Sequence, residues 1–248
     1  MLKAESLSYE LHKKELIHSI SLQFSPGILY GILGPNGSGK TTLLKTLTGI
    51  WKPSKGKVLF NDQDLHLKSR REISRSLSLV PQNLSVNFDF TVAEVVAMGR
   101  YPHENAKPTQ EVIELIEWAL VTVDAWHLRF RHITHLSSGE RHRVYIARSL
   151  VTESPVLLLD EPAASLDIRH QLEIWHLLKK LASQGKIIIA TNHDLGAVER
   201  FCDHIAVLHH GQCIAKGSFQ EVITPSLLEE VFGVVEKMNR FELVLPNR

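Results

Sequence analysis

Eight consecutive residues constrain the fold more than any other part of the sequence: Gly34-Pro35-Asn36-Gly37-Ser38-Gly39-Lys40-Thr41. They fit the pattern G-x-x-x-x-G-K-[ST] and lie between an apolar run at residues 28–33, which predicts a strand, and a helical pattern at Lys40–Leu47. In that context the glycines let successive backbone amides curl around an anion, and the helix N-terminus adds positive potential. Residues 34–41 therefore predict a phosphate loop inside an α/β fold.

The side chains of the phosphate loop suit a nucleoside triphosphate and its metal ion. Lys40 is long enough to reach the β- and γ-phosphates, and the Thr41 hydroxyl is the kind of hard oxygen ligand that Mg²⁺ prefers. Thr42 follows directly and is also expected to contact the nucleotide. A glycine-rich turn without a ligand is the alternative, but the flanking strand and helix favour a phosphate site.

An acidic pair, Asp160 and Glu161, ends the apolar run Val156–Leu159. Side chains at the carboxyl end of a parallel strand face the crevice in which α/β sheets bind ligands. We therefore expect Asp160 to hold Mg²⁺ through water, and Glu161 to orient and deprotonate an attacking water. Two acids at a strand end are often merely solvated, but beside a phosphate loop they indicate hydrolysis.

Two kinds of strand pattern divide the chain. The alternation of apolar and polar residues in the first thirty positions predicts antiparallel strands with one solvated face. Later apolar runs at residues 156–159, 187–190 and 205–208 have no polar face, as in a central parallel sheet that helices cover on both sides.

The predicted fold class is α/β, with a P-loop NTPase core of mostly parallel sheet, an N-terminal antiparallel β-subdomain and an all-helical insert. The insert covers about residues 84–153, where Thr91 and Glu94 form a capping box and helical patterns follow. Because no internal repeat or long linker interrupts the chain, residues 1–248 are predicted to form one domain.

The charge balance and the apolar pattern argue against two classes of protein. The 28 basic and 27 acidic side chains leave a net charge of +1, so no nucleic acid is expected as a partner. No apolar run approaches the roughly 18 residues of a transmembrane helix, and the N-terminus turns polar without the apolar core of a signal peptide. We therefore expect a cytoplasmic chain that reaches a membrane through a partner.

The segment Leu136-Ser137-Ser138-Gly139-Glu140 lies between the phosphate loop and the acidic pair. It resembles the L-S-G-G-Q signature of ABC-family ATP-binding subunits, with Ser138 in place of a glycine and Glu140 in place of glutamine. Ser137 and Glu140 form a capping box, so Ser137 would begin a helix whose N-terminus attracts an anion. The resemblance implies that this anion is the γ-phosphate of ATP held by a second copy of the chain, contacted by Ser137, Ser138 and Gly139.

Three further segments follow in the order that the resemblance requires. Gln82 resembles the glutamine that senses Mg²⁺ and joins the core to the helical insert. Ser165-Leu166-Asp167 resembles the loop that crosses the dimer seam, and His193 resembles the histidine that contacts the γ-phosphate and positions Glu161. The resemblance thus assigns catalytic roles to Glu161, His193 and Gln82, and Mg²⁺ contacts to Thr41, Gln82 and Asp160.

The adenine contact is less well specified than the phosphate contacts. ABC subunits usually stack an aromatic ring of the N-terminal β-region on adenine, but the position obtained by counting along the chain is Leu11. Tyr9 lies two residues earlier, and it either stacks on adenine or is a core residue of its strand.

The resemblance also implies the partners of the chain. With one phosphate loop and one signature, it would act as a homodimer with ATP sandwiched between the copies, bound to integral membrane permease subunits at the cytoplasmic face of the cell membrane. Met98-Gly99-Arg100-Tyr101-Pro102-His103 and the tail around residues 221–234 resemble ATPases of iron–siderophore, haem and cobalamin importers, which use an extracytoplasmic substrate-binding protein. A zinc or manganese importer, a soluble non-transport ABC ATPase and a nucleotide-binding regulator without turnover remain alternatives.

Overall fold

The computed structural model describes residues 1–82, 89–103, 109–164, 166–236 and 243–244. The described strands are β1 Leu2–Leu11, β2 Lys14–Phe24, β3 Leu29–Leu33, β4 Lys55–Phe60, β5 Gln63–Asp64, β6 Leu77–Val80, β7 Val156–Leu159, β8 Ile187–Thr191, β9 His204–His209, β10 Gln212–Gly217, β11 Val235–Glu236 and β12 Leu243–Val244. The described α-helices are α1 Lys40–Leu47, α2 Arg70–Ser76, α3 Val92–Ala97, α4 Gln110–Thr122, α5 Ser138–Leu150, α6 Ile168–Ser183, α7 Leu195–Phe201, α8 Phe219–Val222 and α9 Pro225–Leu227.

A six-stranded, mostly parallel sheet carries the predicted functional segments. Its strand order is β10-β9-β3-β8-β7-β6, and every pair is parallel except β9 with β10. Because the carboxyl ends of parallel strands lie at one edge, β3, β6, β7 and β8 all end on the same side of the sheet. The phosphate loop, Gln82, the acidic pair and His193 follow those four strands directly.

Strand β7 shows why these strands read as continuous apolar runs. Leu157 and Leu159 belong to the apolar cluster formed with helices α3 to α6, whereas Val156 and Leu158 belong to a second cluster shared with the N-terminal strands. All four side chains are at most 2% exposed. Since successive residues of a strand point to opposite faces, a sheet that is covered on both sides needs an apolar residue at every position.

The N-terminal strands form the predicted antiparallel sheet, in the order β2-β1-β4-β5. Strand β1 pairs antiparallel with β2 and also with β4. One face of this sheet packs on helix α1, whose Leu43, Leu44 and Leu47 lie in the same apolar cluster as Leu2 and Ile20. The sheet therefore holds the helix that follows the phosphate loop.

Between β6 and β7 the described residues form helices, turns and one isolated bridge, and no strand. The capping box of Thr91 and Glu94 is confirmed, although α3 ends at Ala97 and continues as the 3-10 turn Met98–Arg100. The sequence patterns did not predict α2, which opens with a capping box of Ser69 and Glu72. Its S-x-x-E signal was available, but the helix is only seven residues long and has one buried apolar residue.

Candidate active site

The phosphate loop lies between β3, near the middle of the parallel sheet, and the first residue of α1. Two of its glycines are required by sterics. A Cβ on Gly34 would lie 2.2 Å from the carbonyl oxygen of Leu208, and one on Gly39 would lie 2.9 Å from Cγ2 of Ile17. Both residues also have φ angles, +150° and +104°, that disfavour any residue with a side chain. The backbone can therefore curl closely around an anion.

Lys40 is held under the loop by backbone carbonyls. Its Nζ donates to the carbonyl oxygens of Gly34, at 2.7 Å, and Pro35, at 3.2 Å, and lies 4.0 Å from Oε1 of Glu161. Burial lowers the pKa of the ammonium group, and the nearby carboxylates of Glu161 and Asp160 oppose that effect. The Glu161 carboxylate is 4.0 Å away and the hydrogen-bond partners of the ammonium group are neutral carbonyls, so a phosphate could approach it more closely than the carboxylate does.

The acidic pair is tied to the phosphate loop and to β8. Oδ2 of Asp160 accepts a hydrogen bond from the Thr41 hydroxyl at 2.7 Å, and its Oδ1 accepts from the Thr191 hydroxyl at 2.8 Å. The same Thr191 oxygen accepts from the backbone amide of Glu161 at 2.8 Å. Sequence analysis did not single out Thr191, since a threonine at the end of an apolar run has no distinctive signal.

Glu161 adopts a left-handed backbone conformation, with φ of +49°. For a residue with a side chain this conformation costs roughly 1–2 kcal/mol, so the surrounding contacts must hold it in place. Its Oε2 accepts a hydrogen bond from Nε2 of Gln82 at 2.6 Å and lies 3.8 Å from Nδ1 of His193. The three predicted catalytic residues therefore meet at one carboxylate, although they follow three different strands.

These residues line a cavity of about 830 Å³. Its lining consists of Lys14, Leu16, Asn36, Gly37, Gly39, Lys40, Thr41, Thr42, Gln82, Glu161 and His193. A nucleotide fits this donor set, because the first-turn amides of α1 lack partners within the helix and the buried Ser38 hydroxyl has no hydrogen-bond partner among the described residues. Sequence analysis missed Lys14 and Leu16, which line the cavity from β2.

The donor set also fits Mg²⁺ if the nucleotide completes its coordination. Thr41, Gln82 and Asp160 offer hydroxyl, amide and carboxylate oxygens, which are hard ligands. Among the described residues no group of three or more His, Cys, Asp and Glu side chains could hold a metal ion by itself. A metal ion at this site would therefore depend on phosphate oxygens for further ligands.

The signature segment, Ser137 to Gly139, begins helix α5. The Ser137 hydroxyl accepts from the backbone amide of Glu140 at 3.3 Å, and Oε2 of Glu140 accepts from the amide of Ser137 at 2.7 Å, which confirms the predicted capping box. Within the described part of the chain, no signature residue lines the 830 Å³ cavity. The signature thus lies outside this protomer's own cavity.

Tyr9 packs within the protein. Its ring stacks on the ring of Trp51, with centroids 5.1 Å apart and an angle of 11° between the planes. Nζ of Lys45 lies 4.5 Å from the centroid of the Trp51 ring. Tyr9 also contacts the apolar cluster around α1. Leu11, at the counted position, is 42% exposed and is not among the described residues of the cavity lining. The packing favours the core-residue interpretation of Tyr9.

The predicted segment Ser165-Leu166-Asp167 is described from its second residue onward. Ser165 lies outside the described residues. Asp167 caps helix α6 by accepting from the amide of His170 at 2.9 Å, while Leu166 packs beside the signature: a Cβ on Gly139 would lie 3.3 Å from its Cδ2. The structure therefore brings the segment after Ser165 next to this chain's own signature.

His142, on the signature helix, makes the stability of the fold depend on pH. The residue is 6% exposed, its Nδ1 lies 3.0 Å from the Ser138 carbonyl oxygen, and burial lowers its pKa below the ordinary value of 6.5. The native state therefore keeps the imidazole neutral, while the unfolded chain gains a proton as the pH falls below that value. Stability is present above this pH and is lost as the pH falls.

Replacing His142 with glutamine should reduce this acid sensitivity. We expect the free energy of unfolding of the wild type, measured by urea titration, to fall further between pH 7.5 and 5.5 than that of H142Q. Because pH 5.5 lies one unit below the ordinary value of 6.5, the difference should approach but not exceed about 1.4 kcal/mol. An equal loss of stability in both proteins would contradict the buried neutral imidazole.

The parallel sheet, the phosphate loop after β3 and the acidic pair after β7 define a P-loop nucleotide-binding protein. Residues 17–164 match the family model described as ABC transporter. The chain belongs to the ABC transporter family and, as an ATP-binding subunit of that family, is an ATPase.

Curated relatives match over most of the chain. The hemin import ATP-binding protein HmuV of Pseudomonas entomophila is 41% identical over 239 residues, which cover 94% of this chain and 93% of the relative. The cobalamin import ATP-binding protein BtuD of Halobacterium salinarum is 38% identical over 232 residues. These residues cover 93% of this chain and 58% of the relative.

Solved structures show the same fold. CbiO1 of Clostridium perfringens, part of the ABC transporter complex CbiONQ, is 32% identical with a TM-score of 0.80, over 89% of each chain. A structure assigned to the metal-chelate type of ABC transporter in an inward-facing conformation has a TM-score of 0.83 at 29% identity, over 97% of this chain and 92% of that chain. These similarities confirm the predicted fold class.

Proposed function

We propose that the chain is the ATP-hydrolysing subunit of an importer that takes up an iron chelate, haem or cobalamin through a separate membrane permease. The observation that carries this proposal is the 41% identity to a hemin import ATP-binding protein over nearly the whole of both chains. The cobalamin relative and the metal-chelate type transporter support the same cargo class.

Within one protomer, the phosphate loop binds the triphosphate. Lys40 donates to the β- and γ-phosphate oxygens once a nucleotide replaces the loop carbonyls as its partner. Thr41, Asp160 and Gln82 would hold Mg²⁺, which when bound neutralises charge on the phosphate oxygens. Thr42 contacts the nucleotide from the first turn of α1, as its place in the cavity lining supports.

Glu161 is the proposed general base. Its carboxylate faces the cavity and is 13% exposed, and it has Gln82 and His193 beside it. The hydrogen bond from Gln82 would orient the carboxylate, and the His193 side chain, which is 62% exposed, would contact the γ-phosphate on the open side. In-line phosphoryl transfer needs positioning and charge neutralisation more than covalent chemistry. Contacts of this type are therefore the ones that ATP hydrolysis requires.

A complete site requires a second copy of the chain. The signature segment caps α5 outside this protomer's cavity, so its anion-attracting helix N-terminus is available to ATP held by a partner. We propose that ATP joins two copies through two such half-sites and that hydrolysis releases them. Residues 1–248 would act as one such ATP-binding unit, with the helical insert passing the motion to the permease.

The cargo and the membrane partner can be tested together. None of the helices that the structure describes is long and apolar enough to cross a bilayer. We expect the tagged chain, purified from native membranes, to bring a permease with it from the cytoplasmic face. In proteoliposomes that contain the complex and its extracytoplasmic substrate-binding protein, haemin, cobalamin or a ferric siderophore should stimulate ATP hydrolysis.

Other outcomes of that experiment point to the alternative functions. Stimulation by Zn²⁺ or Mn²⁺ alone would indicate a metal-ion importer. Recovery of the chain only with ribosomes or DNA would indicate a soluble ABC ATPase, and a complex that binds ATP without turnover would indicate a regulator. The E161Q complex is the matched control for ATPase background.

A further inference from the structure

The segment at residues 98–103 is fastened to the C-terminal end of the signature helix. Nη1 of Arg100 donates to the Val151 carbonyl oxygen at 2.9 Å, and Nε2 of His103 lies 3.0 Å from the Thr152 carbonyl oxygen. The Thr152 hydroxyl in turn donates to the Gly99 carbonyl oxygen at 3.0 Å. A Cβ on Gly99 would lie 2.1 Å from a backbone oxygen of α5, so the two segments are in close contact.

The same segment is fastened on its other side to helix α2. The Pro102 carbonyl oxygen accepts from Nε of Arg71 at 2.8 Å and from Nε of Arg75 at 2.7 Å. Two guanidinium groups one helical turn apart therefore converge on a single carbonyl. Pro102 has no amide hydrogen, and its carbonyl is the backbone group through which the segment meets α2.

Helix α2 is fastened in turn to the helix of the phosphate loop. Nη1 of Arg70 donates to the Gly49 carbonyl oxygen at 2.7 Å. Gly49 lies two residues beyond the end of α1, with φ of +67°, and Ile73 of α2 packs against it. The contacts of α2 thus run from the C-terminal end of α1 to the segment at residues 98–103.

Together these contacts connect the C-terminal ends of two functional helices, α1 and α5. At each end a cationic or histidine side chain donates to a carbonyl that has no partner within its helix, where the negative end of the helix dipole favours such donors. We call Arg70, Arg71, Arg75, Arg100 and His103 the arginine relay.

We propose that the arginine relay sets the angle between the phosphate-loop helix and the signature helix, and that its members are positioning residues for the closed ATP-bound dimer. This inference rests on the proposed two-copy site, because only there must a phosphate loop and a signature meet across a seam. It gives residues 98–103 a physical role that their resemblance to importer ATPases left open.

Geometry explains why anchoring the far end of α5 matters at the signature. The helix has 13 residues and is therefore about 20 Å long, so a swing of about 10° about its C-terminal end moves its N-terminus by about 3 Å. A displacement of even about 1 Å is enough to weaken contacts to a reacting group substantially. The relay prevents such a swing without touching nucleotide.

The first test measures this angle in the monomer, where dimer formation plays no part. Cys202 and Cys213 are replaced by serine, and spin labels are attached at K57C on β4 and E117C on α4, which packs with α5. We expect one narrow distance distribution in this parent. R71A/R75A should broaden the distance distribution by about 3 Å, the displacement expected when one end of a helix as long as α5 is released.

The second test measures the consequence for the dimer in the E161Q background. R71A/R75A should raise the ATP concentration for half-maximal dimerisation about tenfold, as loss of hydrogen bonds from charged donors implies. Affinity of the monomer for a fluorescent ATP analogue should stay the same, since the phosphate loop is unchanged. A merely structural role would instead lower thermal stability without separating these two affinities.

Matched variants make both tests decisive. R71K/R75K keeps the positive charge and an N–H donor group at the end of each side chain, so both effects should be smaller than in R71A/R75A. R200A, which removes an exposed arginine of α7, should show neither effect. If R71A/R75A does not fold, H103A interrupts the relay on the α5 side and should broaden the same distances.

The outcomes separate this inference from the proposed function. An unchanged distance distribution in R71A/R75A and H103A overturns the relay, whatever the dimer does. A broadened distribution in a protein whose E161Q parent never dimerises with ATP supports the relay as an anchor and instead refutes the two-copy site.

Discussion

Replacing Glu161 with glutamine is expected to lower ATP hydrolysis by the assembled complex by a factor of about 10²–10⁴, the usual contribution of a general base. ATP binding should remain, because Glu161 lies beside the loop rather than within it. The glutamine oxygen can still accept the hydrogen bond that Gln82 now donates to Oε2 of Glu161. The substitution therefore removes the base and keeps the geometry.

Without hydrolysis, the ATP-bound dimer should accumulate. Size-exclusion chromatography of E161Q with ATP should show a species of twice the monomer mass, and the same protein without nucleotide should elute as a monomer. The control is E229Q, which makes the same chemical change at an exposed carboxylate far along the chain. Normal turnover by E161Q would show that another group acts as the base.

Replacing Lys40 with alanine should weaken ATP binding itself. The ammonium group is expected to form charge-assisted hydrogen bonds to phosphate, and the loss of about 1.5–3 kcal/mol corresponds to a decrease in affinity of about 10- to 100-fold. Calorimetric titration of the full chain with ATP gives this value directly. Unchanged affinity would remove the phosphate-loop interpretation.

The same variant should separate binding from folding. Burial lowers the pKa of Lys40, so its charged form is disfavoured in the protein without nucleotide, and its removal should cost little unfolding free energy. K45A is the matched control, because Lys45 lies on the same helix but over the Trp51 ring, outside the described cavity lining. We expect K45A to bind ATP like the wild type. In denaturant titrations, K40A should have a free energy of unfolding close to that of the wild type.

Short sequence patterns were sufficient to predict the segments whose geometry depends only on neighbouring residues. The phosphate loop needs glycines at fixed spacing before a helix, and the structure shows the steric reason at Gly34 and Gly39. Capping boxes work in the same way, since both partners lie within four residues, and those of Thr91 and Ser137 are confirmed. The continuous apolar run of β7 similarly predicted burial on both faces.

Contacts between distant segments could not be inferred from such patterns. The Thr191 hydroxyl donates a hydrogen bond to Asp160, 31 residues away, and the ring of Trp51 stacks on that of Tyr9. Neither the threonine nor the tryptophan predicts its partner from its residue type. Helix α2 is short and polar, yet its arginines contact carbonyls 21 to 31 residues away.

The sequence by itself determined the phosphate loop, the acidic pair and the signature helix cap, because each depends on residue spacing within a short segment of chain. It also determined the α/β class, through apolar runs that have no polar face. Only the tertiary structure decided that Gln82 and Lys40 reach the Glu161 carboxylate beside His193, and that Lys14 and Leu16 rather than Tyr9 line the cavity. The physical reason is that sheet order and packing, which no local pattern encodes, bring the ends of separate strands to one edge.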